Sequence, residues 1–513
     1  MIRTKVCSLV KQLSKAYPKS ITRISYMALS TRKPEDFVNN PGPNDIVTFE
    51  ERYPPKQNKI LNDVLEAVGN TPLVRLNKIP QSFGVKCQIL AKCEYFNPGG
   101  SIKDRIVLRM TNDAEKQGRL EKGGIIIEPS SGNTAVSLGL VSAVRGYKST
   151  ITIADKNAGE KITTMKALGL DVIKTSSACK HDDPGSYFSV AARLTKETPG
   201  AITLNQYGNI SNALANYDQT AEEILEACEN KIDAVVCGAG TGGTITGIGA
   251  KIKEVVPTCK VVGIDPVGST MADPEDLNVE PGKSYKVEGM GHDFIPDSLV
   301  KKHVDTWVKT RDPESLDLAR RMIKEEGLLI GASSGAILYG AIKYALDNNL
   351  NENQRVVIVL PDSIRNYMTK FASDDWMVDF GFLPTEHYLD KNNKLYGKTV
   401  KDLKLTSVKS YTNQITIKEA LEIFDKGAEE IVLEKDGQTE GVIYASNFIS
   451  TYYEKGLKPT DTLKEVNPQK VPVLTPQTDL SVVSKLLERH KIVLAQGSEL
   501  YRITPKDLLK LSA

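Results

Sequence analysis

From about residue 60 to 365 the chain alternates between two hydrophobic patterns. Short β-branched runs, nearly all apolar, recur at Gln88–Lys92, Gly124–Glu128, Thr150–Ala154, Asp171–Lys174, Ala234–Cys237, Lys260–Asp265 and Arg355–Leu360. Strands buried on both faces read this way. Between them lie helical stretches at Thr134–Arg145, Glu160–Leu168, Asn216–Glu229, Pro313–Glu326 and Ala336–Asn348. Alternating strand and helix predicts an α/β fold with mostly parallel sheets and flanking crossover helices. In such sheets ligands bind beyond the carboxyl ends of the strands, so the loops leaving those ends are the places to search for chemistry.

The pattern changes after Asp374-Asp375-Trp376. Residues 385–402 are polar and rich in Lys, Asp and Asn, which predicts a linker. Beyond them a weak repeat of about 60 residues emerges. Ile417–Phe424 matches Leu480–Leu487, Glu430–Leu433 matches Lys491–Leu494, and Gly441–Ile449 matches Tyr501–Leu509. Two tandem β-α-β-β-α units account for this. The expected division is a tail at 1–40, a main domain at 41–384, a linker at 385–402 and a tandem-repeat module at 403–513.

Composition narrows the function. The chain has 513 residues, 40% of them hydrophobic and 25% charged, as in soluble globular proteins. Lys and Arg number 66 against 64 Asp and Glu, a net charge of +2 that gives no general reason to expect nucleic-acid binding. The longest apolar stretches are about half the ~20 residues of a membrane helix. Seven Cys and no C-x-x-C pair exclude a disulfide framework and argue against zinc ribbons. Residues 1–34 carry eight Lys/Arg and no acid. This suits a basic tail, with an organelle transit peptide as the alternative. The expected location is cytoplasmic, or mitochondrial if the tail is an address.

Four loops converge on chemistry. Asn97-Pro-Gly-Gly-Ser-Ile-Lys103-Asp-Arg105 follows a strand and opens a helix. Its Pro and Gly allow a tight turn, and Lys103 falls where the helix dipole disfavours a cation. Such a lysine is a candidate for a lowered pKa and Schiff-base chemistry, against the ordinary reading of a solvated lysine. Glu128-Pro-Ser130-Ser131-Gly132-Asn133-Thr134 offers hydroxyls, an amide and N–H groups at a helix start, more than simple capping requires. Gly238-Ala-Gly240-Thr241-Gly242-Gly243-Thr244 can cradle a phosphate. It also contains a formal G-x-G-x-x-G, and Asp265 ends a later strand, so an NAD-binding enzyme competes. The fourth loop, Gly331-Ala-Ser333-Ser334-Gly335, reads in isolation as a capped helix start.

Together these segments resemble the fold-type II pyridoxal-phosphate enzymes of β-replacement, and most closely the cystathionine β-synthases. The resemblance covers roughly 60–380, and the tandem repeats extend it. It implies that Lys103 carries pyridoxal 5′-phosphate and that Asn133 contacts the cofactor's 3′-oxygen. By the same resemblance Gly240, Thr241, Gly242, Gly243 and Thr244 hold the phosphate and Ser333 bonds the pyridine nitrogen. Ser130, Ser131, Thr134, Gln206 and Gly289 would bind substrate, and Tyr207 would lie near the reacting centre. Two longer segments favour the synthases over cysteine synthases: Glu288-Gly-Met-Gly-His-Asp-Phe-Ile-Pro296 and Leu360-Pro-Asp-Ser-Ile-Arg-Asn-Tyr-Met-Thr-Lys-Phe371.

The implied reaction condenses L-serine with L-homocysteine to L-cystathionine and water, with hydrogen sulfide from cysteine as a side activity. The alternative is a cysteine synthase using O-acetylserine and sulfide. His292 stands where the family loop usually has tyrosine. Some relatives carry haem through a Cys and a His on an N-terminal extension; residues 34–86 contain neither, so no haem is expected and no metal. The repeats resemble the regulatory modules of the same family, which implies an S-adenosylmethionine site at Thr504 and Asp507. Tyr444 and Asn447 occupy the matching places of the first repeat, so one site at most is expected. A purely structural or dimerising module is the alternative. The family also implies a homodimer or homotetramer with small amino-acid substrates.

Overall fold

The computed structural model describes residues 60–130, 132–154, 159–175 and 183–511. The basic tail and Ser131 therefore lie outside the described residues. Ten strands build the main part: β1 (Leu73–Arg75), β2 (Gln88–Cys93), β3 (Ile125–Pro129), β4 (Lys148–Ala154), β5 (Asp171–Thr175), β6 (Ala201–Ile202), β7 (Ala234–Gly238), β8 (Lys260–Pro266), β9 (Thr306–Thr310) and β10 (Arg355–Leu360). They form two sheets, one of order β1-β2-β10-β7-β8-β9 and one of order β5-β4-β3-β6. Every pairing is parallel except β1 with β2.

The seven apolar runs read from sequence all lie in strands, with ends shifted by at most two residues. In the large sheet their centres are fully buried, with Val235, Val236, Val261, Val262, Val356 and Val357 at 0% exposure, whereas edge strand β5 leaves Ile173 38% exposed. Side chains on both faces of the large sheet thus pack under helices, which is why the runs do not alternate. Three short strands, β1, β6 and β9, escaped the hydrophobic pattern. Helical segments also differ in detail. The stretch expected at Asn216–Glu229 begins with a π-helical turn at Asn216–Thr220. The helix expected from Ala336 starts at Ala332, so Ser333 and Ser334 lie in its first turn.

The C-terminal repeats fold as expected from their pattern. The strands are β11 (Thr406–Ser407), β12 (Ser410–Tyr411), β13 (Glu430–Lys435), β14 (Gln438–Tyr444), β15 (Val473–Leu474), β16 (Val493–Gln496) and β17 (Leu500–Ile503). They make two small sheets, β12-β13-β14 and β11-β17-β16-β15. Helices Ile417–Asp425 and Leu480–Leu487 occupy equivalent places, each followed by an antiparallel pair. Segment 385–402 joins the two parts, but it also packs Tyr388, Leu395 and Val400 against the core of the second repeat.

Candidate active site

Both sheets deliver their loops to one place. After β2 the turn at 97–102 leads into helix Lys103–Lys116. The Asp104 carboxylate accepts from Gly99 N at 2.6 Å and from Ser137 Oγ at 2.5 Å, which ties the turn to the helix and to the small-sheet side. The next residue, buried Arg105, is paired with Glu94 at 2.7 Å and Glu223 at 2.6 Å, which anchors the helix start. Lys103 is therefore presented from a rigid element. Its amine makes no hydrogen bond or ion pair among the described residues. Burial pushes its pKa down to about 8, against the pull of the Asp362 carboxylate. The helix dipole acts in the same sense as burial.

The loop after β3 is built around Glu128, which is fully buried. Its carboxylate accepts from the backbone N–H groups of Leu204, Asn205 and Gln206 at 3.0–3.1 Å. Burial pushes its pKa up to about 7, with those three N–H groups opposing. This clamp fixes the strand of backbone that carries Gln206 and Tyr207. Thr134 Oγ1 donates to Gln206 Oε1 at 2.7 Å, so the Gln206 amide must present its NH2 as donor. Ser130 Oγ accepts from Gly132 N and Ala135 N, and among the described residues its O–H has no acceptor.

The third loop leaves β7 and enters helix Gly243–Val255. Gly242 sits at φ +89°, and a Cβ there would come within 2.4 Å of Leu299 Cβ. At Gly240 a Cβ would come within 2.6 Å of the Gly289 carbonyl oxygen. The loop is thus pressed against the 289–299 segment in a way only glycine permits. Asn212 Nδ2 holds Thr241 Oγ1 at 2.9 Å, and Ser298 Oγ donates to Thr241 O at 2.5 Å. A helix N-terminus beyond a glycine turn favours an anion. Ser333 is buried at 3% exposure in the first turn of helix Ala332–Asp347. Its hydroxyl makes no hydrogen bond among the described residues.

One cavity collects these groups: Lys103, Ser130, Asn133, Thr134, Gln206, Tyr207, Gly240, Thr241, Gly242, Thr244, Gly289 and Ser333 all line it. Gly243 lies directly behind its wall, against Asn212. Thr504 and Asp507 are elsewhere, in the second repeat, where Thr504 N and Oγ1 both donate to Asp507 Oδ2 at 2.9 and 2.7 Å. An aromatic cluster adjoins the cavity through its lining residues Tyr207 and His292. Tyr207 packs edge-on to His292 at 5.5 Å and to Phe188 at 5.1 Å, and His292 lies 4.9 Å from Phe294. Burial, together with Tyr187, raises the Tyr207 phenol well above its ordinary range.

Three lining or supporting residues escaped the sequence reading. Glu128 was quoted only as the start of its loop, although a buried acid ending an apolar strand is itself a signal. Lys161 lines the cavity and pairs with Glu288 at 2.6 Å; Lys370 pairs with the other Glu288 oxygen. Burial raises the Glu288 carboxyl, but the two lysines outweigh it and leave it below the ordinary value. Asp362 lines the cavity at 1% exposure and accepts from Asn133 Nδ2 at 2.7 Å. Its partner in the cavity wall, Asn133, comes from a segment 229 residues away, so the local sequence does not show that role. The structure corrects the NAD alternative: Asp265 is fully buried, paired with Lys309 at 2.6 Å, and unavailable to a ribose.

A lysine amine with lowered pKa, a glycine cradle at a helix N-terminus and a buried serine hydroxyl in one cavity fit an aldehyde-bearing phosphate ester with a ring nitrogen. Pyridoxal phosphate has that donor and acceptor set. Residues 64–362 match the family model described as pyridoxal-phosphate dependent enzyme. The chain is 46% identical over 463 residues to cystathionine β-synthase of Dictyostelium discoideum, covering 88% of this chain and 92% of that protein. It is 43% identical to the cystathionine β-synthase of Oryctolagus cuniculus, covering 86% and 80%. Among solved structures it is similar to an O-acetylserine dependent cystathionine β-synthase from Helicobacter pylori, at 30% identity and TM-score 0.56, covering 61% of this chain and 98% of that one. The chain belongs to the pyridoxal-phosphate-dependent enzymes and, within them, to the cystathionine β-synthases.

Proposed function

We propose that this chain condenses L-serine with L-homocysteine to L-cystathionine and water. The observation that carries the reading is the cavity in which Lys103 meets the glycine cradle and the Ser130–Thr134 loop. Pyridoxal phosphate, when bound, supplies an electron sink for charge developing at the substrate Cα. Lys103 would hold the cofactor, with the Gly240–Thr244 loop at its phosphate, Asn133 at its ring oxygen and Ser333 at its ring nitrogen. A neutral serine hydroxyl beside that nitrogen does not favour its protonation as an aspartate would, which suits elimination over transamination.

The protein's own groups then do the proton work. Ser130 O–H and the Gln206 NH2, oriented by Thr134, are donors for the substrate carboxylate, as is the Asn133–Thr134 helix start. The freed Lys103 amine takes the Cα proton and returns a proton to the departing hydroxyl, which leaves as water. The thiol of homocysteine then gives its proton to Lys103 and bonds to Cβ in the hydroxyl's place, and Lys103 passes that proton on to Cα. Tyr207, His292 and Phe294 form the wall past which the thiol substrate enters.

The second reading is a cysteine synthase using O-acetylserine and sulfide; its first substrate is the one named for the Helicobacter pylori cystathionine β-synthase structure. Assays of serine with homocysteine and of O-acetylserine with sulfide decide between them: faster turnover of the second pair would overturn the first reading. Cysteine with homocysteine should release hydrogen sulfide. For the C-terminal repeats the reading is a regulatory module with at most one S-adenosylmethionine site at Thr504 and Asp507. Isothermal titration that gave no heat, with no change in activity, would leave a structural module instead. The reading includes a homo-oligomer and no haem; a Soret band in the purified protein would overturn the latter.

A further inference from the structure

We infer that Asp362 is a positioning residue that orients the Asn133 amide as a hydrogen-bond donor to the cofactor ring. The inference rests on the reading that pyridoxal phosphate occupies the cavity. Asp362 follows β10 and is held by backbone bonds from two of the chemical loops. Gly331 N donates to Asp362 O at 2.8 Å, Ile102 N donates to Pro361 O at 2.8 Å, and Ser363 N donates to Gly100 O at 3.1 Å. The lysine loop, the Ser333 loop and the end of β10 are thus one unit with Asp362 at its centre. The side chain is equally confined. A Cβ at Gly331 would lie 2.0 Å from Asp362 Oδ1, so the carboxyl rests directly on that glycine.

The other oxygen has a task. Asp362 Oδ2 accepts from Asn133 Nδ2 at 2.7 Å and from Tyr367 OH at 2.5 Å. At the far end of the amide, Asn366 Nδ2 donates to Asn133 Oδ1 at 2.8 Å. An asparagine amide turned by 180° exchanges a donor for an acceptor at almost no steric cost, so its orientation has to be imposed by partners. Here an acceptor faces the NH2 and a donor faces the oxygen. The NH2 carries two hydrogens, and Asp362 takes one, leaving the second for a ligand oxygen in the cavity that Asn133 lines. Turned over, the amide would oppose oxygen to oxygen. Burial raises the Asp362 carboxyl while Lys161 and the Tyr367 and Asn133 bonds lower it. Oδ2 accepts in either protonation state, since both neighbours donate to it.

The test is a double-mutant cycle on pyridoxal phosphate uptake by the cofactor-stripped full chain, read by the visible absorbance band at equilibrium. Supporting groups of this kind change ligand affinity by about 10- to 100-fold. Asp362→Ala should weaken uptake by about that factor and Asn133→Ala at least as much. The double variant should bind no more weakly than Asn133→Ala alone, because the first residue acts through the second. Asp362→Asn keeps an acceptor oxygen and should stay within about threefold of the parent. Losses that multiply in the double variant, or an Asp362→Ala chain that binds like the parent, would overturn the assignment. Should Asp362→Ala fail to fold, Asn366→Ala replaces it in the cycle: a loss that disappears in the Asn133→Ala background supports the assignment, and an unchanged or multiplying loss overturns it. A parent chain that takes up no pyridoxal phosphate would instead overturn the cofactor reading on which all of this stands.

Discussion

The cavity around Lys103 and the Thr504–Asp507 pair of the second repeat were both marked by family-like residue types, yet their polar groups are committed differently. In the cavity the Lys103 amine and the Ser333 hydroxyl make no hydrogen bond among the described residues, and the Ser130 O–H has no acceptor among them. In the repeat, Thr504 N and Oγ1 both bond Asp507 Oδ2, and Lys510 pairs with Asp507 Oδ1 at 2.9 Å. That is a capping box at the start of helix Pro505–Leu509. The lesson is that residue types name candidates, whereas valences left open inside an enclosure define a site. Each prediction below tests one side of this contrast.

The largest effect belongs to Lys103→Ala. On the proposed mechanism it removes the one group that would both hold the cofactor and move protons. Activity should fall by at least about 10³-fold, within the range of general acid–base contributions combined with cofactor loss. The spectral change on adding serine should vanish. A variant that turned over normally would break the comparison at its root.

Next comes Glu128→Gln. Three backbone N–H groups aim at that carboxylate, and an amide NH2 in its place faces one of them donor to donor. A buried donor left unsatisfied costs about 1–3 kcal/mol. Thermal melting should shift down, and the KM for serine should rise more than kcat falls, because Gln206 is displaced while Lys103 is not. A kcat effect alone would mean that Glu128 does not act through the substrate-carboxylate side.

The third concerns pH. The Lys103 pKa lies near 8 in the fold and at 10.5 in the ordinary lysine. Between these values the unfolded chain binds more protons, so stability of the cofactor-free protein rises with pH across that window and the cost of burying Lys103 is fully present below it. The same titration yields the neutral amine that attacks an aldehyde. The rate of cofactor uptake by the stripped protein should therefore climb through about pH 8 and level off above it. A rate still climbing through pH 10 would show that Lys103 behaves as a solvated lysine.

How much of this could be read from the chain depended on distance along it. Seven strands of the two sheets were legible because short β-branched runs such as Val235–Val236 and Val356–Val357, which are buried on both faces, alternate with longer helical stretches; β1, β6 and β9 were not. The four loops were legible because glycines and hydroxyls cluster within a few residues. Asp362 was not, since its meaning comes from Asn133, 229 residues away, and from Gly331. Glu128 is similar: its partners are backbone N–H groups 76–78 residues downstream, which have no side-chain signature. The competing NAD reading of Asp265 stayed open in the sequence for the same reason. A strand-end acid looks like a ribose ligand until Lys309, 44 residues on, is placed beside it.

The smallest expected effect is in the module, and it sharpens the contrast most directly. Thr504→Ala deletes the side-chain half of the capping box but leaves Thr504 N on Asp507. Losing an N-cap hydroxyl costs about 0.5–2 kcal/mol. The helix it caps is the short last one, exposed at Leu509, so the lower end of that range applies. The cofactor's visible band should not change, because Thr504 does not line the cavity. Asp507→Ala removes the acceptor for both Thr504 donors and the partner of Lys510, and should cost somewhat more. If S-adenosylmethionine binds here, the ligand must compete for the same Asp507 oxygens. Asp507→Ala would then abolish the titration heat, whereas Thr504→Ala would only weaken it. Equal heats in parent and Asp507→Ala would place the ligand elsewhere and leave Thr504 and Asp507 as a helix cap.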